Sequence, residues 1–229
     1  MIAKTEGQIS FRFEDEIKNP SHPVSETLLM PDADVIFYSS YFSKEESDHI
    51  LQKLSNEVTW RQDKITYYGK EMDLPRLTAW YGDSGKAYTY SNIAMSSDEW
   101  TPTLLYIKKK IEEAARVNFN SVLLNLYRNG RDGVSWHQDN EPELGKEPVI
   151  GSVSFGGTRR FQFRHKKRKE LGKTEIDLTH GSLLIMKGLT QIYWQHQIPK
   201  TSKPVEPRIN LTFRVIQNSK STPPQAVGL

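Results

Sequence analysis

The sequence predicts an α+β fold in which short antiparallel strands form a sandwich or jelly roll and helices pack outside it. Two segments before residue 120 have helical spacing and capping residues, whereas the segments after residue 120 are short and rich in aromatic and β-branched residues. With 36% hydrophobic and 26% charged residues, the 229-residue chain has the composition of a globular protein that can bury a core. We therefore expect a single α+β domain.

That domain is predicted to cover residues 31–217. Residues 1–30 are polar and contain the proline-bearing stretch NPSHPVSE, so they are interpreted as a flexible arm. Residues 218–229, NSKSTPPQAVGL, are low in hydrophobic content and are predicted to be a disordered tail. No internal repeat divides the chain between these ends.

Both predicted helices begin at a recognisable cap. Ser43 and Glu46 form a capping-box pattern at the start of the first helix, and Thr101 precedes Pro102 at the start of the second. The apolar positions expected to face the β core are Ile50, Leu51 and Leu54 in the first helix and Leu105, Ile111 and Ala115 in the second.

The β core is predicted from seven segments that follow residue 120. They are SVLLNLYRNG, VIGSVSFG, RFQFRHK, TEIDLTHG, SLLIMKG, YWQHQIP and RINLTFRVIQ, separated by glycine, proline or charged turns. Strands this short and evenly spaced favour an antiparallel arrangement over βαβ units. An earlier segment, ITYYGKEMDLPR, is interpreted as a hairpin with Tyr68, Gly69 and Lys70 at its tip.

Composition excludes several classes of function. The chain has no cysteine, which excludes disulfides, cysteine-bound zinc, iron–sulfur clusters and thiol catalysis, so any metal must be held by histidine and carboxylate. No stretch approaches the roughly 18 apolar residues of a membrane span, and the N-terminal stretch does not resemble a signal peptide. We expect an intracellular protein without a membrane partner. A net charge of +3 is too small to predict a polyanionic partner by itself.

The stretch GVSWHQDNEPELG places His137 and Asp139 two residues apart, and on a strand such residues project from the same face. The pair could form a structural hydrogen bond, an acid–base pair or two ligands of a metal. A serine hydrolase using Ser135 is disfavoured because no G-x-S-x-G elbow is present. A zinc hydrolase stays open, although the chain lacks an H-E-x-x-H helix.

A mononuclear metal site needs a third ligand, and the chain has six histidines. His196 lies on a late strand of the same β core, whereas the others lie in the arm, on a helix, in a basic run or at a turn: His22, His49, His165 and His180. Two histidines and one carboxylate suit a non-haem Fe(II) centre that leaves three coordination positions open.

The segment PRINLTFRVI alternates sharply along a predicted strand. Its polar face carries Arg208, Asn210, Thr212 and Arg214, and its apolar face carries Ile209, Leu211, Phe213 and Val215. Two arginines on the inner face of a strand are costly unless they meet anions, and arginine binds carboxylates through two parallel hydrogen bonds. The strand could therefore bind the two ends of a short dicarboxylate, with structural salt bridges as the alternative.

These residues together resemble the AlkB family of Fe(II)/2-oxoglutarate dioxygenases. The resemblance rests on NLYRNGRDGVSWHQD, SVSFGGTRRFQFRHK, HGSLLIMKG, WQHQIPK and PRINLTFR, covers about residues 35–217, and is nearest to the animal DNA-repair branch and its bacterial relatives. It implies a double-stranded β-helix, or jelly roll, with the predicted helices outside. It also implies Fe(II) bound by His137, Asp139 and His196, with 2-oxoglutarate and O₂ as co-substrates.

For the co-substrate, the resemblance implies that Arg208 pairs with the distal carboxylate of 2-oxoglutarate and that Arg214 pairs with the carboxylate beside the keto group. Further hydrogen bonds would come from Asn125, Tyr127 and Asn210. The implied activity is oxidative demethylation of 1-methyladenine and 3-methylcytosine in double- or single-stranded DNA. Alternatives are the same chemistry on RNA or a protein side chain, or an inactive nucleic-acid-binding module.

A substrate base must leave the duplex to reach the site, so flat partners are expected around it. The resemblance places these partners in a nucleotide-recognition hairpin at about residues 60–92. The predicted substrate residues are Tyr68 as a wedge, Arg76 near the lesion strand, Tyr88, Tyr90 and Ser91 in the base pocket, and Glu141 as a pocket carboxylate.

A basic patch around RHKKRK is expected to contact the phosphate backbone, with a solvated hairpin as the alternative. Its predicted members are Arg159, Arg160, Arg164, His165 and Lys166. We expect a monomer that is cytoplasmic if the source is bacterial and nuclear if it is eukaryotic.

Overall fold

The computed structural model describes residues 23–67, 69–83, 87–90 and 93–217. The predicted tail and residues 1–22 of the predicted arm lie outside these ranges. The rest of the arm does not behave as predicted, because Ser25–Thr27 forms a strand and the side chains of Leu28 and Met30 are buried in the core. The domain therefore begins before residue 31.

The described strands follow one another closely along the chain. They are β1 (Ser25–Thr27), β2 (Asp34–Tyr38), β3 (Lys64–Tyr67), β4 (Lys70–Asp73), β5 (Leu77–Gly82), β6 (Ala87–Tyr90), β7 (Ile93–Ser96), β8 (Ser121–Tyr127), β9 (Val134–His137), β10 (Ile150–Gly156), β11 (Arg159–His165), β12 (Lys173–Leu178), β13 (Ser182–Lys187), β14 (Trp194–Ile198) and β15 (Arg208–Arg214). All seven segments predicted after residue 120 form strands.

Two antiparallel sheets build the core, as the predicted jelly roll requires. The large sheet has the order β1-β2-β13-β10-β15-β8-β5, and the small sheet has the order β12-β11-β14-β9. The pairs β3–β4 and β6–β7 form separate hairpins, so the predicted hairpin around Gly69 is present. Between them, β5 belongs to the large sheet, which means that residues 60–92 are not one continuous hairpin.

Helices cover the outer face of the large sheet. They are α1 (Lys44–Glu57) and α2 (Pro102–Ala115). The single turn α3 (Thr190–Tyr193) instead links β13 to β14 and packs against the layer between the sheets, and short 3₁₀ turns occur at Pro142–Leu144 and Lys169–Leu171. Both predicted caps are present, since the hydroxyl of Ser43 accepts from the Glu46 N–H and that of Thr101 accepts from the Leu104 N–H. No helix among the described residues is long and apolar enough to cross a bilayer.

The buried face of α2 is rotated slightly from the predicted one. Leu104 and Ile107 are fully buried, whereas Leu105, which was predicted to face the core, is 47% exposed. One residue along a helix is a rotation of about 100°, so Leu104 and Leu105 cannot both face the sheet. Ile111 and Ala115 are buried as expected.

Side chains alternate between the two faces of the large sheet, so its apolar residues form two layers. Val153, Leu211 and Phe213 point outward and pack under α1 and α2. Leu123, Tyr127 and residues of the small sheet form the second layer, between the two sheets. The space between the sheets is where the polar residues of β8, β10 and β15 also point, so the fold encloses a polar cavity in an apolar surround.

Candidate metal and anion site

The two predicted histidine ligands lie on neighbouring strands of the small sheet. His137 is the last residue of β9, His196 is in the middle of β14, and the two are direct partners across the strands. Asp139 follows two residues after His137, just past the end of the strand rather than on it. One ligand atom from each of the three residues lies within 4.8 Å of the others.

Local contacts orient the imidazole of His137. Its Nδ1 lies 2.8 Å from the backbone oxygen of Ser135, and because a carbonyl oxygen only accepts, Nδ1 carries the proton. The Nε2 lone pair is then available to a metal. Ser135 contacts this imidazole through its carbonyl and not through its hydroxyl, so the described contacts do not form the serine–histidine pair of a hydrolase.

Asp139 is held ionised in a buried position. Burial by itself would raise the pKa of this carboxyl group, but Arg214, with Nη2 donating to Oδ1 at 2.9 Å, and the two imidazoles lower it to about 2. The backbone N–H of Asp139 donates to the side-chain oxygen of Gln191 at 3.0 Å. The second carboxylate oxygen can therefore face a cation at neutral pH.

The two histidines are held neutral. Burial lowers the pKa of His196 to about 3, and burial likewise lowers the pKa of His137. Neutral imidazoles keep the lone pairs that a metal requires. Two neutral imidazoles and one carboxylate within coordinating reach fit a divalent metal of the Fe(II) type with open positions.

A cavity joins this triad to the polar face of β15. The predicted co-substrate residues all line it, namely Asn125, Tyr127, Arg208, Asn210 and Arg214. Arg214 lies at the end near the triad because it pairs with Asp139. Arg208, six residues earlier on the same strand face, lies towards the other end of the cavity.

The surroundings of Arg208 suit the binding of an anion. It is fully buried, Nη2 donates to the hydroxyl of Ser154 at 2.8 Å, and its guanidinium carbon lies 5.2 Å from the centre of the Tyr127 ring. Within the described part of the chain, its Nε and Nη1 atoms are buried without a hydrogen-bond partner. Donors left without a partner on a buried guanidinium are suited to the oxygens of a carboxylate. Burial lowers the pKa of Arg208 to about 10, so it stays charged at neutral pH.

The remaining polar groups of the cavity are held by one another. Arg76 Nε donates to Asn125 Oδ1 at 2.7 Å, and Asn210 Nδ2 donates to the Ser152 hydroxyl and the Val153 oxygen. The Thr212 hydroxyl donates to Asn210 Oδ1 at 3.1 Å. These bonds fix the amides before any ligand arrives.

The predicted substrate residues are only partly described. Arg76 is buried and lines the cavity beside His137. Glu141 is half-buried before the 3₁₀ turn at Pro142 and is not among the residues that line the cavity. Tyr68 and Ser91 lie outside the described residues, and of Tyr88 and Tyr90 only the backbone, in β6, is described.

Two members of the predicted basic patch are buried and cannot be phosphate contacts. Arg159 is 2% exposed and donates to backbone oxygens, and His165 is buried with Nδ1 accepting from the backbone N–H groups of Lys167 and Arg168. Both lie on the face of β11 that carries Phe161 and Phe163, whereas Arg160 and Arg164 occupy the outer face. The period of a strand explains the error, because residues 159, 161, 163 and 165 share one face.

The outward-facing members differ in how far their charge is neutralised. Arg160 is exposed but pairs with Glu175 and Asp177. Arg164 is exposed, donates to Gln195 and stacks 4.4 Å from the Trp136 ring centre. Lys166 is also exposed. Arg164 and Lys166 are therefore the members that remain suited to a phosphate contact.

The structure adds residues that the sequence did not reveal. Ser152 and Ser154 bond to Asn210 and Arg208, and their alternation in VIGSVSFG was a usable signal. Phe161 stacks on the His196 ring, with ring centres 5.2 Å apart, and shares its strand face with Phe163. Gln191 contacts Asp139 from a distant turn, for which no local pattern exists.

Comparison with known proteins agrees with this geometry. Residues 34–214 match the 2OG-Fe(II) oxygenase superfamily. The chain is 45% identical over 195 residues to human alpha-ketoglutarate-dependent dioxygenase alkB homolog 3, a match that covers 80% of this chain and 66% of that protein. It is 38% identical over 192 residues to mouse DNA oxidative demethylase ALKBH2, with 80% of each chain covered.

A solved structure of OsALKBH1 superposes with a TM-score of 0.61 at 17% identity, covering 84% of this chain and all of that one. At this identity the likeness establishes the fold alone. The chain spans just under two thirds of the length of the alkB homolog 3 proteins, 66% of the human and 62% of the cattle protein.

Proposed function

Because the chain belongs to the 2OG-Fe(II) oxygenase superfamily, we propose that it is an oxidative demethylase of N-alkylated bases in DNA. The proposed substrates are 1-methyladenine and 3-methylcytosine, and the proposed products are the restored base, formaldehyde, succinate and CO₂. The observation that carries the proposal is one cavity with the His137, Asp139 and His196 triad at one end and Arg208 at the other.

The triad would hold iron, and Arg208 would hold the distal carboxylate of 2-oxoglutarate. Iron bound there supplies the oxidising chemistry that couples decarboxylation of 2-oxoglutarate to hydroxylation of a methyl group. Arg214 keeps Asp139 ionised and adds positive charge beside the metal end, where the second carboxylate of the co-substrate would lie. Asn125, Asn210 and Tyr127 would orient the chain between the two carboxylates, and the buried walls exclude water from it.

Two observations support a nucleic-acid substrate, and the first of them favours DNA. The relative named DNA oxidative demethylase ALKBH2 is 38% identical to this chain over most of its length. Arg164 and Lys166 leave exposed positive charge on the outer face of β11, which suits a polyanion. We propose these two as phosphate contacts, and RNA of the same sequence is the competing substrate.

The first test is anaerobic mixing of the protein with Fe(II) and 2-oxoglutarate, followed by visible spectroscopy. We expect a weak charge-transfer band that is lost in Arg208→Ala and retained in Arg131→Ala, a matched change at an exposed arginine. A protein that binds metal but shows no band with 2-oxoglutarate would instead be a binding module without turnover.

The second test measures formaldehyde release from oligonucleotides that contain 1-methyladenine. Wild-type protein should release formaldehyde, and His137→Ala and Asp139→Ala should not, because each removes a metal ligand. Equal amounts of single-stranded DNA, duplex DNA and RNA separate the proposed substrate from its alternatives. Faster release from RNA than from either DNA would overturn the assignment to DNA.

A further inference from the structure

Arg159 is a buried cation that the proposed chemistry does not yet use. It begins β11, is 2% exposed, and points between the sheets with Phe161. Burying a charged group is costly unless its hydrogen bonds are satisfied and its charge is compensated. The surroundings of Arg159 satisfy the first condition, but the nearby Asp132 carboxylate also pairs with Arg128 and compensates the charge of Arg159 only in part.

The hydrogen bonds of Arg159 join two loops. Nη2 donates at 2.9 Å both to the oxygen of Asp132 and to that of Pro199, and Nη1 reaches the oxygen of Asn129 at 3.4 Å. Asp132 precedes β9, which ends in His137, and Pro199 follows β14, which carries His196. Only carbonyl oxygens are involved, and the Asp132 carboxylate is taken by Arg128 instead.

The same guanidinium reaches the co-substrate end of the cavity through Tyr127. Its central carbon lies 5.6 Å from the Tyr127 ring centre, and that of Arg208 lies 5.2 Å from the same ring. Two buried positive charges thus share one aromatic ring. Besides burial, the proximity of Arg159 lowers the pKa of Arg208, which is the expected effect of a like charge nearby.

Two cations at one end of a cavity attract a negative group more strongly than one does. Arg208 offers that group two unused N–H donors, whereas all the hydrogen bonds of Arg159 go to the protein. Resting on the proposed function, we propose that Arg159 is a positioning residue of the 2-oxoglutarate site. It fixes Tyr127 and adds the positive potential that makes the site select a 2-oxo acid with a second, distal carboxylate.

The experiment compares two 2-oxo acids that differ only at the distal end. The dissociation constants of 2-oxoglutarate and of 2-oxopentanoate, which lacks the distal carboxylate, are measured with the full chain and Fe(II) under anaerobic conditions. The preference is the ratio of the two constants. Arg159→Met removes the charge, and Arg131→Met is the matched control, because Arg131 is exposed and lies on the loop whose carbonyl oxygens bond Arg159.

In Arg159→Met we expect the preference for 2-oxoglutarate to fall by about tenfold or more, mainly through weaker 2-oxoglutarate binding. Mn(II) affinity, measured by calorimetry, should change by less than about twofold, since no metal ligand contacts Arg159. Arg131→Met should leave the preference unchanged. If Arg159→Met does not fold, Arg159→Gln carries the same test, because its amide can still donate to one carbonyl oxygen.

Results that contradict the role of Arg159 can be told apart from results that contradict the proposed function. If both 2-oxo acids bind equally more weakly in the Arg159 variants, the residue merely supports the loops and the proposal is wrong. It is equally wrong if neither constant changes. If the wild-type protein fails to bind 2-oxoglutarate at all, the proposed function fails first, and this result is visible before any variant is made.

Discussion

At the scale of single residues, the two candidate metal-binding histidines are oriented by different means. His137 is held by a hydrogen bond from Nδ1 to the Ser135 carbonyl. Among the described residues the imidazole of His196 makes no hydrogen bond; instead its ring lies nearly parallel to that of Phe161, at 21°, with ring centres 5.2 Å apart. Most metal-bound histidines are fixed by a hydrogen bond from the second nitrogen. We infer that stacking on Phe161 takes that role here.

Phe161→Leu should therefore weaken metal binding. Leucine keeps the site apolar but loses the flat surface that fixes the His196 ring, and we expect Mn(II) or Co(II) affinity to fall by roughly tenfold. Phe163→Leu is the matched control, because Phe163 is on the same strand face but meets His196 edge-on at 6.3 Å. Calorimetric titration measures both. An equal loss in the two variants would show that general packing, and not the stack, matters.

The placement of site residues on one face could be predicted from the sequence where polar and apolar residues alternate along a strand. Arg208, Asn210 and Arg214 line one cavity because alternate residues of a strand share a face. The same period would have placed Arg159 inside with Phe161, but the basic run beside it suggested a surface patch. Contacts made across the fold, such as Gln191 with Asp139, leave no local pattern to find.

At the scale of elements, the approach of α2 to the large sheet depends on a glycine in β10. A Cβ atom at Gly151 would lie 3.1 Å from Cζ of Phe119 and 3.3 Å from Cδ1 of Ile111. Phe119 is itself confined, with its ring centre 5.8 Å from that of Phe213. The next residue of β10, Ser152, points to the opposite face and bonds to Asn210. One face of β10 therefore sets how closely α2 packs, and the other face helps to fix the cavity.

Gly151→Ala should destabilise the protein. The lost backbone freedom of the unfolded chain favours alanine by about 0.4–1 kcal/mol, whereas overpacking a confined core costs about 1–3 kcal/mol. We expect a net loss of about 1 kcal/mol in the free energy of unfolding, measured by denaturant titration. Phe119→Leu should relieve the crowding, so Gly151→Ala should cost little in that background. Additive effects in the double variant would contradict the proposed contact.

Elements were predicted best where their ends carried a local signal. Ser43, Thr101 and the turns after residue 120 marked boundaries that the structure confirms. Strand β1 was missed because it is three exposed residues long and has no apolar period. The pairing of β9 with β14 joins residues that are far apart in the sequence. The sequence therefore suggested that the two histidines lie in the same β core, but it could not show that they are direct partners.

At the scale of the whole molecule, the face of the strand on which a charged residue lies decides whether it is exposed, and membership of a basic stretch in the sequence does not. Strand β11 turns Arg159 and Phe161 inward between the sheets and Arg160 and Arg164 outward. Glu175 and Asp177 on the neighbouring strand neutralise Arg160, while Arg164 is held over Trp136 by Gln195. The net charge of +3 therefore understates the positive potential at the outward end of this strand.

This arrangement predicts how binding to single-stranded DNA should depend on salt. Each lost phosphate contact lowers the slope of log affinity against log salt by ~0.7 for a single strand. Replacing both Arg164 and Lys166 by glutamine should therefore reduce the slope by about 1.4 and weaken binding at low salt. Arg160→Gln should change the slope less, because its charge is already paired, and Lys53→Gln on α1 should not change it.

Fluorescence anisotropy with a labelled oligonucleotide, measured from low to moderate salt, gives the slopes directly. Formaldehyde release at saturating DNA should be nearly unchanged in the double variant, because neither residue lines the cavity. A slope that stays at the wild-type value would place the phosphate contacts elsewhere on the molecule. A slope that falls together with the rate at saturation would mean that these side chains also position the base, because binding and turnover would then depend on the same contacts.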